Sequence, residues 1–141
     1  MMKVLYKAKA HSQAGREGKV RVENSPLEFD LAPPVELGGS GKVGANPEQL
    51  FAAGYAACFE SAVLHVARRK KLTLQSTAVA VEIGIGPNDQ GGFQLTAAIL
   101  ATIGGVDQGT ADAIVQEAHQ VCPYSNATRG NIEVSVAAQI V

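Results

Sequence analysis

Two cysteines are the residues of this chain whose type and position best suit chemistry. Cys58 lies in the middle of an apolar stretch that predicts a helix, and Cys122 lies at the predicted end of a second helix, one residue before Pro123. A lone cysteine on an apolar helix is most often a small core residue. A thiol at a helix end beside a proline can move, however, so the two also suit a peroxidatic cysteine and a cysteine that resolves its sulfenic acid.

Metal binding is the second chemistry that these cysteines allow. His65 follows Cys58 by seven residues and His119 precedes Cys122 by three, so each pair shares a helix face. No short C-x-x-C or H-x-x-x-H spacing accompanies them, and four ligands would have to converge from separate segments. The spacing therefore favours thiol chemistry over a zinc-dependent hydrolase, and no metal is predicted.

A reactive thiol in an apolar helix needs a cation beside it, because burial raises the pKa of a thiol. Arg16, in a loop flanked by glycines, is the best candidate. Arg68 lies at the far end of the helix, about 15 Å from Cys58 at 1.5 Å per residue. Glu48 or Glu60 could hold the guanidinium group. By pattern alone, however, Arg16 is an exposed charge in a turn.

The stretch from residue 46 to residue 70 predicts the central helix. Asn46 is suited to cap it and Pro47 to its first position. Small and apolar residues between Leu50 and Val66 go nearly all the way round, which is typical of a helix inside a core. Because a cluster of cations at 68–71 ends this run, no membrane-spanning segment is predicted.

The remaining elements are predicted from alternation and turn residues. Strands at 2–10, 19–22 and 27–31 form a meander, strands at 76–85 and 93–103 form a hairpin, a helix runs from Asp107 to Cys122, a loop covers 124–130, and a last strand covers 132–140. The order is βββ-α-ββ-α-β, an α+β fold with antiparallel sheets in one domain, 1–141. Residues 39–44 match the letters G-x-G-x-x-G, but no strand leads into them and two prolines precede them, so no cofactor is predicted.

Composition bounds the partners and the compartment. Twelve basic and 13 acidic residues give a net charge of -1, which argues against nucleic acid and acidic membranes as partners. Two cysteines and no secretory signal favour the cytoplasm. Charged residues make up 18% of the chain, below the roughly 25% of typical domains, and six strands are too many for one helix face. A homodimer that shares strands around two central helices is therefore predicted.

Two segments carry a family resemblance. NPEQLFAAGYAACF at 46–59 and VCPYSNATRGN at 121–131 resemble the organic hydroperoxide resistance proteins, the Ohr branch of the OsmC/Ohr superfamily. The resemblance runs from the first strand to the last. It implies an antioxidant thiol peroxidase that reduces organic hydroperoxides, including lipid-derived ones, and works as an intertwined homodimer. It also implies a dithiol reductant, a dihydrolipoyl group on a lipoylated protein, and no metal or flavin.

The resemblance further implies four roles. Cys58 is the peroxidatic cysteine and Cys122 the resolving cysteine, while Arg16 and Glu48 activate the thiol. Glu48 and Cys58 are ten residues apart, about 15 Å along a straight helix, and cannot share a site within one unbroken helix. Either the helix breaks at Gly54, or Glu48 and Arg16 act on the thiol of the partner subunit, and we predict the second. The main alternative from another class is a non-catalytic ligand-binding dimer with two core cysteines.

Overall fold

The computed structural model describes residues 2–141 and divides into two units, Met1–Leu50 and Phe51–Val141. The first unit contains an antiparallel meander of β1 (Ala10–Gln13), β2 (Lys19–Val22) and β3 (Glu28–Asp30). This meander was predicted. That residues 1–141 form one domain stays a prediction.

The first strand lies later than its predicted range of 2–10. Ala10 pairs with Val22 and Gln13 with Lys19, so the register with β2 decides where β1 begins. In the part of the chain that the structure describes, residues 2–9 belong to no strand. Leu5 and Tyr6 in that segment are 88% and 82% exposed, so its alternation of apolar and basic residues did not indicate a strand of this chain's own sheet.

An irregular loop leads from β3 to the first helix, as the proline and glycine content predicted. The loop contains a short 3-10 turn at Val35–Leu37 and is closed at its base by backbone bonds. The Ala32 N–H donates to the Ala45 carbonyl and the Ala45 N–H to the Asp30 carbonyl, both at 2.9 Å. The glycines at 39–44 thus belong to a closed loop and not to a strand-turn-helix unit.

The central helix, α1, runs over Pro47–Arg69 and confirms the predicted range. Asn46 and Gln49 form a reciprocal cap: the Gln49 N–H donates to Asn46 Oδ1 at 2.8 Å, and the Asn46 N–H donates to Gln49 Oε1 at 3.1 Å. α1 is continuous through Gly54, so the alternative in which the helix breaks there is wrong.

The second unit contains a mixed sheet of β4 (Ser76–Pro87), β5 (Phe93–Gly104) and β6 (Glu133–Ile140), in that order. β4 and β5 form the predicted antiparallel hairpin. β6 pairs with β5 in parallel, so the antiparallel prediction is wrong for this pair. Between them the chain crosses over through two helices, which is the connection that parallel neighbours require.

The crossover contains α2 (Gln108–Val121) and α3 (Pro123–Thr128). Asp107 caps α2 as predicted, accepting from the Thr110 N–H at 2.8 Å. The loop predicted over 124–130 is wrong, because Pro123 both ends α2 and takes the first position of α3, where its missing N–H costs nothing. Cys122 is therefore the junction between two helices.

The core of the second unit lies between the sheet and the two longer helices. It contains Tyr55, Phe59, Val63 and Val66 of α1, Ile99 and Ile103 of β5, and Ile114 and Val115 of α2. The opposite face of α1 is exposed in this chain and carries Ala53, Ala57, Ser61 and Leu64. The prediction that α1 is buried all round is therefore not met within one copy of the chain.

α1 is long and apolar enough to cross a membrane by length and composition, which corrects the expectation that no segment reaches that length. Its buried face nevertheless packs against the protein's own sheet and α2, with Tyr55, Phe59, Val63 and Val66 wholly inaccessible. It is therefore a core helix.

Candidate active site

Arg16 lies in the turn between β1 and β2, a 3-10 segment at Gly15–Glu17. The turn closes tightly after it: a Cβ on Gly18 would lie 1.7 Å from the backbone oxygen of Gln13, so only glycine fits. This geometry fixes the backbone on the C-terminal side of Arg16.

Arg16 is paired with Glu48, one of the two carboxylates that the sequence offered to hold its guanidinium group. Nη1 donates to Glu48 Oε2 at 2.8 Å and Nη2 donates to Oε1 at 2.7 Å, a two-pronged arrangement that fixes the guanidinium plane. The Arg16 side chain is 39% exposed and that of Glu48 is 14% exposed. The structure therefore does not support the interpretation of Arg16 as a free surface charge.

The pair also fixes its own ionisation. The hydrogen bonds from Arg16 hold the pKa of the Glu48 carboxyl below its ordinary value of 4.5, although burial acts in the opposite direction. The same bonds raise the pKa of Arg16. Both groups are thus charged at neutral pH, and one guanidinium edge is held by the carboxylate.

Cys58 and Cys122 meet in the second unit. Their sulfurs lie 3.5 Å apart, a contact in which the Cys122 thiol donates to Cys58, and both cysteines are free thiols. Cys58 is half-buried on α1, and Cys122 is wholly buried at the α2–α3 junction. Residues 64 positions apart in the sequence are thereby close enough to form a disulfide after a small movement.

The environment of Cys58 within this unit disfavours the thiolate. Burial is the largest cause and raises the pKa of the Cys58 thiol. The backbone N–H of Tyr124 acts in the opposite direction. The neighbouring Cys122 raises the pKa of Cys58 further, first through the hydrogen bond between the two side chains and then through the repulsion of two adjacent thiolates. Cys58 therefore needs a cation to react quickly at neutral pH.

Tyr124 lies close to α1 and to Cys58 because α1 has a glycine, Gly54, opposite the tyrosine ring. A Cβ on Gly54 would lie 2.9 Å from the Tyr124 hydroxyl oxygen, so the tyrosine ring lies directly against the helix backbone. Gly54 allows this close approach and is not a helix break. The Tyr124 ring also stands edge-on to Phe51 and tilted to Tyr55, with centroids 6.0 and 5.7 Å away.

Other candidate residues lie elsewhere. Glu60 accepts from the Thr77 hydroxyl at 2.8 Å and does not hold Arg16. His119 bonds to Ser125 through Nδ1 at 2.8 Å, and His65 is exposed. Among residues 2–141, no three or more histidine, cysteine or acidic side chains cluster in a way that could hold a metal ion.

The sequence interpretation missed three groups near the cysteines. The Tyr124 N–H faces the Cys58 sulfur, and Tyr55 and Ser125 share a buried hydrogen bond of 2.8 Å. Tyr55 precedes Cys58 by three residues and Ser125 follows Cys122 by three, and this symmetric spacing is the only signal that the sequence held.

Chemically, the second unit presents two thiols in contact, and the first presents an oriented guanidinium group. The thiol pair suits reversible thiol oxidation. The guanidinium group suits stabilisation of a thiolate or another anion.

Comparisons with known proteins agree with one another. A family model described as OsmC-like protein matches residues 38–137. An organic hydroperoxide resistance protein of Xanthomonas axonopodis pv. citri is 47% identical over 135 residues, covering 95% of this chain and 94% of that protein.

Solved structures show the same likeness. The crystal structure of an organic hydroperoxide resistance protein from Elizabethkingia anophelis superposes with a TM-score of 0.95 at 46% identity, covering 99% of this chain and 100% of that one. The structure of OhrB from Bacillus subtilis superposes with a TM-score of 0.89 at 35% identity, covering 96% and 100%.

Proposed function

Because the chain belongs to the OsmC-like family, and within it to the organic hydroperoxide resistance proteins, we propose that it is a thiol peroxidase. It reduces organic hydroperoxides, including those of lipids, to alcohols in defence against oxidative stress. The observation that carries this proposal is the contact between the Cys58 and Cys122 sulfurs at 3.5 Å.

In the first step the Cys58 thiolate attacks the O–O bond of the hydroperoxide. The sulfur forms a bond to the terminal oxygen and is oxidised by two electrons, the O–O bond breaks, and the alkoxide leaves and takes a proton to become the alcohol. Cys58 is then a sulfenic acid. The N–H of Tyr124, which already faces this sulfur, stabilises the negative charge before attack.

In the second step the Cys122 sulfur attacks the sulfur of the Cys58 sulfenic acid. The S–S bond forms, the S–O bond breaks, and the hydroxide leaves as water with the thiol proton. The contact between the two sulfurs supports this step, because little chain movement is needed. The disulfide also protects Cys58 from oxidation to sulfinic acid.

Arg16 and Glu48 have the role of lowering the pKa of the peroxidatic thiol. Arg16 supplies the positive charge that burial of Cys58 makes necessary, and Glu48 orients it through two hydrogen bonds. α1 rises about 15 Å between Glu48 and Cys58, which favours action on the Cys58 of a partner subunit.

A homodimer is part of this proposal. The exposed face of α1 consists mostly of small and apolar residues, and Leu5 and Tyr6 of the N-terminal segment are almost fully exposed in one chain. A second copy is the occupant that would cover both and bring Arg16 to the thiol.

The reductant we propose is a dithiol, the dihydrolipoyl group of a lipoylated protein, and the compartment is the cytoplasm. A dithiol reopens the Cys58–Cys122 disulfide by two successive exchanges and is itself oxidised to a cyclic disulfide. The choice of reductant is tested by comparing peroxide turnover with dihydrolipoamide and with reduced thioredoxin, and we expect turnover to be faster with dihydrolipoamide.

The decisive experiment is single-turnover oxidation of the reduced protein by cumene hydroperoxide and, separately, by hydrogen peroxide, with free thiols counted over time. We expect rapid loss of two thiols per chain, faster with the organic peroxide. In Cys122→Ser, oxidation should stop at a sulfenic acid on Cys58, which a sulfenic-acid-specific probe detects.

The same experiment separates the alternative. If both thiols survive equimolar cumene hydroperoxide for minutes, the cysteines are core residues, and the interpretation as a non-catalytic ligand-binding dimer replaces the peroxidase.

A further inference from the structure

Four polar side chains meet inside the second unit, and we call Tyr55, Ser125, Thr128 and His119 the Tyr55 network. The Tyr55 hydroxyl lies 2.8 Å from Ser125 Oγ and 3.1 Å from Thr128 Oγ1. Ser125 Oγ lies 2.8 Å from His119 Nδ1. Tyr55 and Ser125 have no exposed surface, so the bonds of the Tyr55 hydroxyl to Ser125 and Thr128 are shielded from water and from competing partners, while the bond from Ser125 to the half-buried His119 is partly buried.

The network surrounds the two cysteines in a regular way. Tyr55 stands on α1 one helical turn before Cys58, while His119 and Ser125 stand three residues before and three residues after Cys122. One hydrogen-bonded chain therefore joins both helices at the Cys122 junction to the turn of α1 that leads to the other thiol.

Cys122 itself is outside helical geometry. With φ and ψ of -62° and 121°, it is the C-cap of α2 and the N-cap of α3, and its side chain forms no capping hydrogen bond with α3. Bonds on both sides hold the junction: the Arg129 guanidinium donates to the His119 carbonyl at 2.8 Å, and the Arg129 N–H donates to the Ser125 carbonyl at 2.9 Å. The direction of the Cys122 thiol thus depends on how α2 and α3 are fixed.

The hydrogen-bond directions are consistent with a neutral His119. Burial lowers the pKa of His119, and the charge of Arg129 lowers it further. A neutral Nδ1 accepts from the Ser125 hydroxyl, which leaves Ser125 Oγ free to accept from Tyr55. The two links from Tyr55 through Ser125 to His119 then each have one donor and one acceptor, while the Thr128 hydroxyl donates to the Ser125 carbonyl at 3.3 Å.

Stability alone does not account for a buried polar chain at this position. Well-packed apolar side chains of the same volume stabilise a core about as well, without the cost of removing polar groups from water. The directional bonds instead fix one relative arrangement of α1, α2 and α3 around Cys122.

We propose that the Tyr55 network positions Cys122 for attack on Cys58, and that its members are positioning residues for the second, disulfide-forming step. This inference rests on the proposed peroxidase function. Attack requires the Cys122 sulfur to approach by about 1.5 Å, from the observed contact to a bonded length. A junction free to rotate would lower the fraction of molecules in which that approach is in line with the breaking S–O bond.

The test compares Ser125→Ala and Tyr55→Phe with the unmodified chain in single-turnover oxidation by cumene hydroperoxide. Loss of the first thiol should keep its rate within about twofold, because Cys58 and Tyr124 are untouched. Loss of the second thiol should slow about tenfold in each variant, since misplacement of a reacting group by an ångström is enough for such an effect. Sulfinic acid on Cys58 should accumulate at lower peroxide concentrations.

Val63→Ala is the matched control. Val63 is wholly buried on α1 but outside the network, so its truncation destabilises the core without moving the junction. In this variant we expect the ratio of the first-thiol rate to the second-thiol rate to be unchanged. Thr128→Ser keeps the hydroxyl and should also leave this ratio unchanged. A purely structural role predicts that Ser125→Ala and Val63→Ala change both steps alike. That result, or a second step at the normal rate in Tyr55→Phe, overturns the inference.

Diamide separates this inference from the function on which it rests. It adds to one thiol, and the second thiol then displaces the reduced hydrazine to form the disulfide, so the second step is measured without any peroxide. If cumene hydroperoxide does not oxidise the unmodified chain but diamide forms its disulfide, the peroxidase proposal fails. The role of the Tyr55 network in disulfide formation is then still tested by diamide. Should Ser125→Ala not fold, Tyr55→Phe, which keeps the ring, decides the outcome.

Discussion

At the scale of residues, the chemistry depends on a conflict at Cys58. Burial in α1 protects the thiol but raises its pKa, and one backbone N–H, that of Tyr124, is the opposing influence within the second unit. Arg16 is suited to supply the missing charge because a guanidinium is always protonated and, in this chain, is held by two bonds to Glu48.

Replacement of Arg16 by glutamine should move the pH dependence of Cys58 oxidation to higher pH. Only the thiolate attacks, and removal of a nearby cation raises the thiol pKa by about 1–3 units, so the rate at pH 7 should fall by up to about 10- to 1000-fold. The measurement is the single-turnover rate between pH 5 and pH 10, where the rates of the two proteins should converge at the alkaline end.

Arg16→Lys is the control for this prediction. It keeps the charge but not the two-pronged contact with Glu48, so its rate should lie between those of the parent and the glutamine variant. An unshifted midpoint in Arg16→Gln would show that Arg16 does not act on the thiol.

At the scale of elements, two of the four proposed catalytic residues lie outside the regular parts of the helices and strands. The β1–β2 turn presents Arg16, and the α2–α3 junction presents Cys122. Each contains a feature that the pattern of apolar residues does not reveal: the close approach of Gly18 to the Gln13 carbonyl in the turn, and Pro123 at the first position of α3 in the junction.

Gly18→Ala should therefore reduce the oxidation rate of Cys58 nearly as much as Arg16→Gln. The added Cβ would lie 1.7 Å from a backbone oxygen, so the turn that carries Arg16 must change shape. Gly15→Asn is the matched control, because Gly15 has a φ of +55° that asparagine tolerates and open space around it. Single-turnover rates and thermal unfolding of both variants check this prediction. Equal oxidation rates in Gly18→Ala and Gly15→Asn would contradict it.

At the scale of the whole molecule, one chain leaves apolar surface uncovered. The exposed face of α1 includes Leu64, 37% exposed, and the N-terminal segment carries Leu5 and Tyr6. These surfaces are what the proposed homodimer would bury. The OsmC-like family match covers residues 38–137 and thus includes parts of both units.

Mixing two inactive variants should restore activity if Arg16 acts across a dimer interface. In a mixed dimer of a Cys58→Ser chain and an Arg16→Gln chain, one site combines the intact Cys58 of the second chain with the intact Arg16 of the first. We expect up to half the activity of the parent per mixed dimer, measured as peroxide-dependent thiol loss after the chains are mixed and exchanged.

Action within one chain predicts a different result for the same mixture. Both sites of the mixed dimer would then lack one of the two groups, and activity would stay at the level of the separate variants. Sedimentation analysis of each sample establishes that mixed dimers are present.

The sequence alone determined the features that depend on local pattern. The caps at Asn46 and Asp107, the range of α1 and the β4–β5 hairpin follow from side chains that act within a few residues of one another. Residue type and position had already made Cys58, Cys122 and Arg16 candidates, with Glu48 as one of two possible carboxylate partners. The likeness to a family assigned a role to each of the four. The pairing of Arg16 with Glu48 and the contact of Cys58 with Cys122 agree with that likeness.

Only the tertiary structure decided the rest. The parallel direction of β6, the start of β1 at Ala10 and the Tyr55 network all depend on groups far apart in the chain. Alternation of apolar residues is the same for a parallel and an antiparallel strand, and a buried hydroxyl carries no sign of its partner. The packing of whole elements decides such contacts, because a buried polar group must form its hydrogen bond with a group that the fold brings within reach.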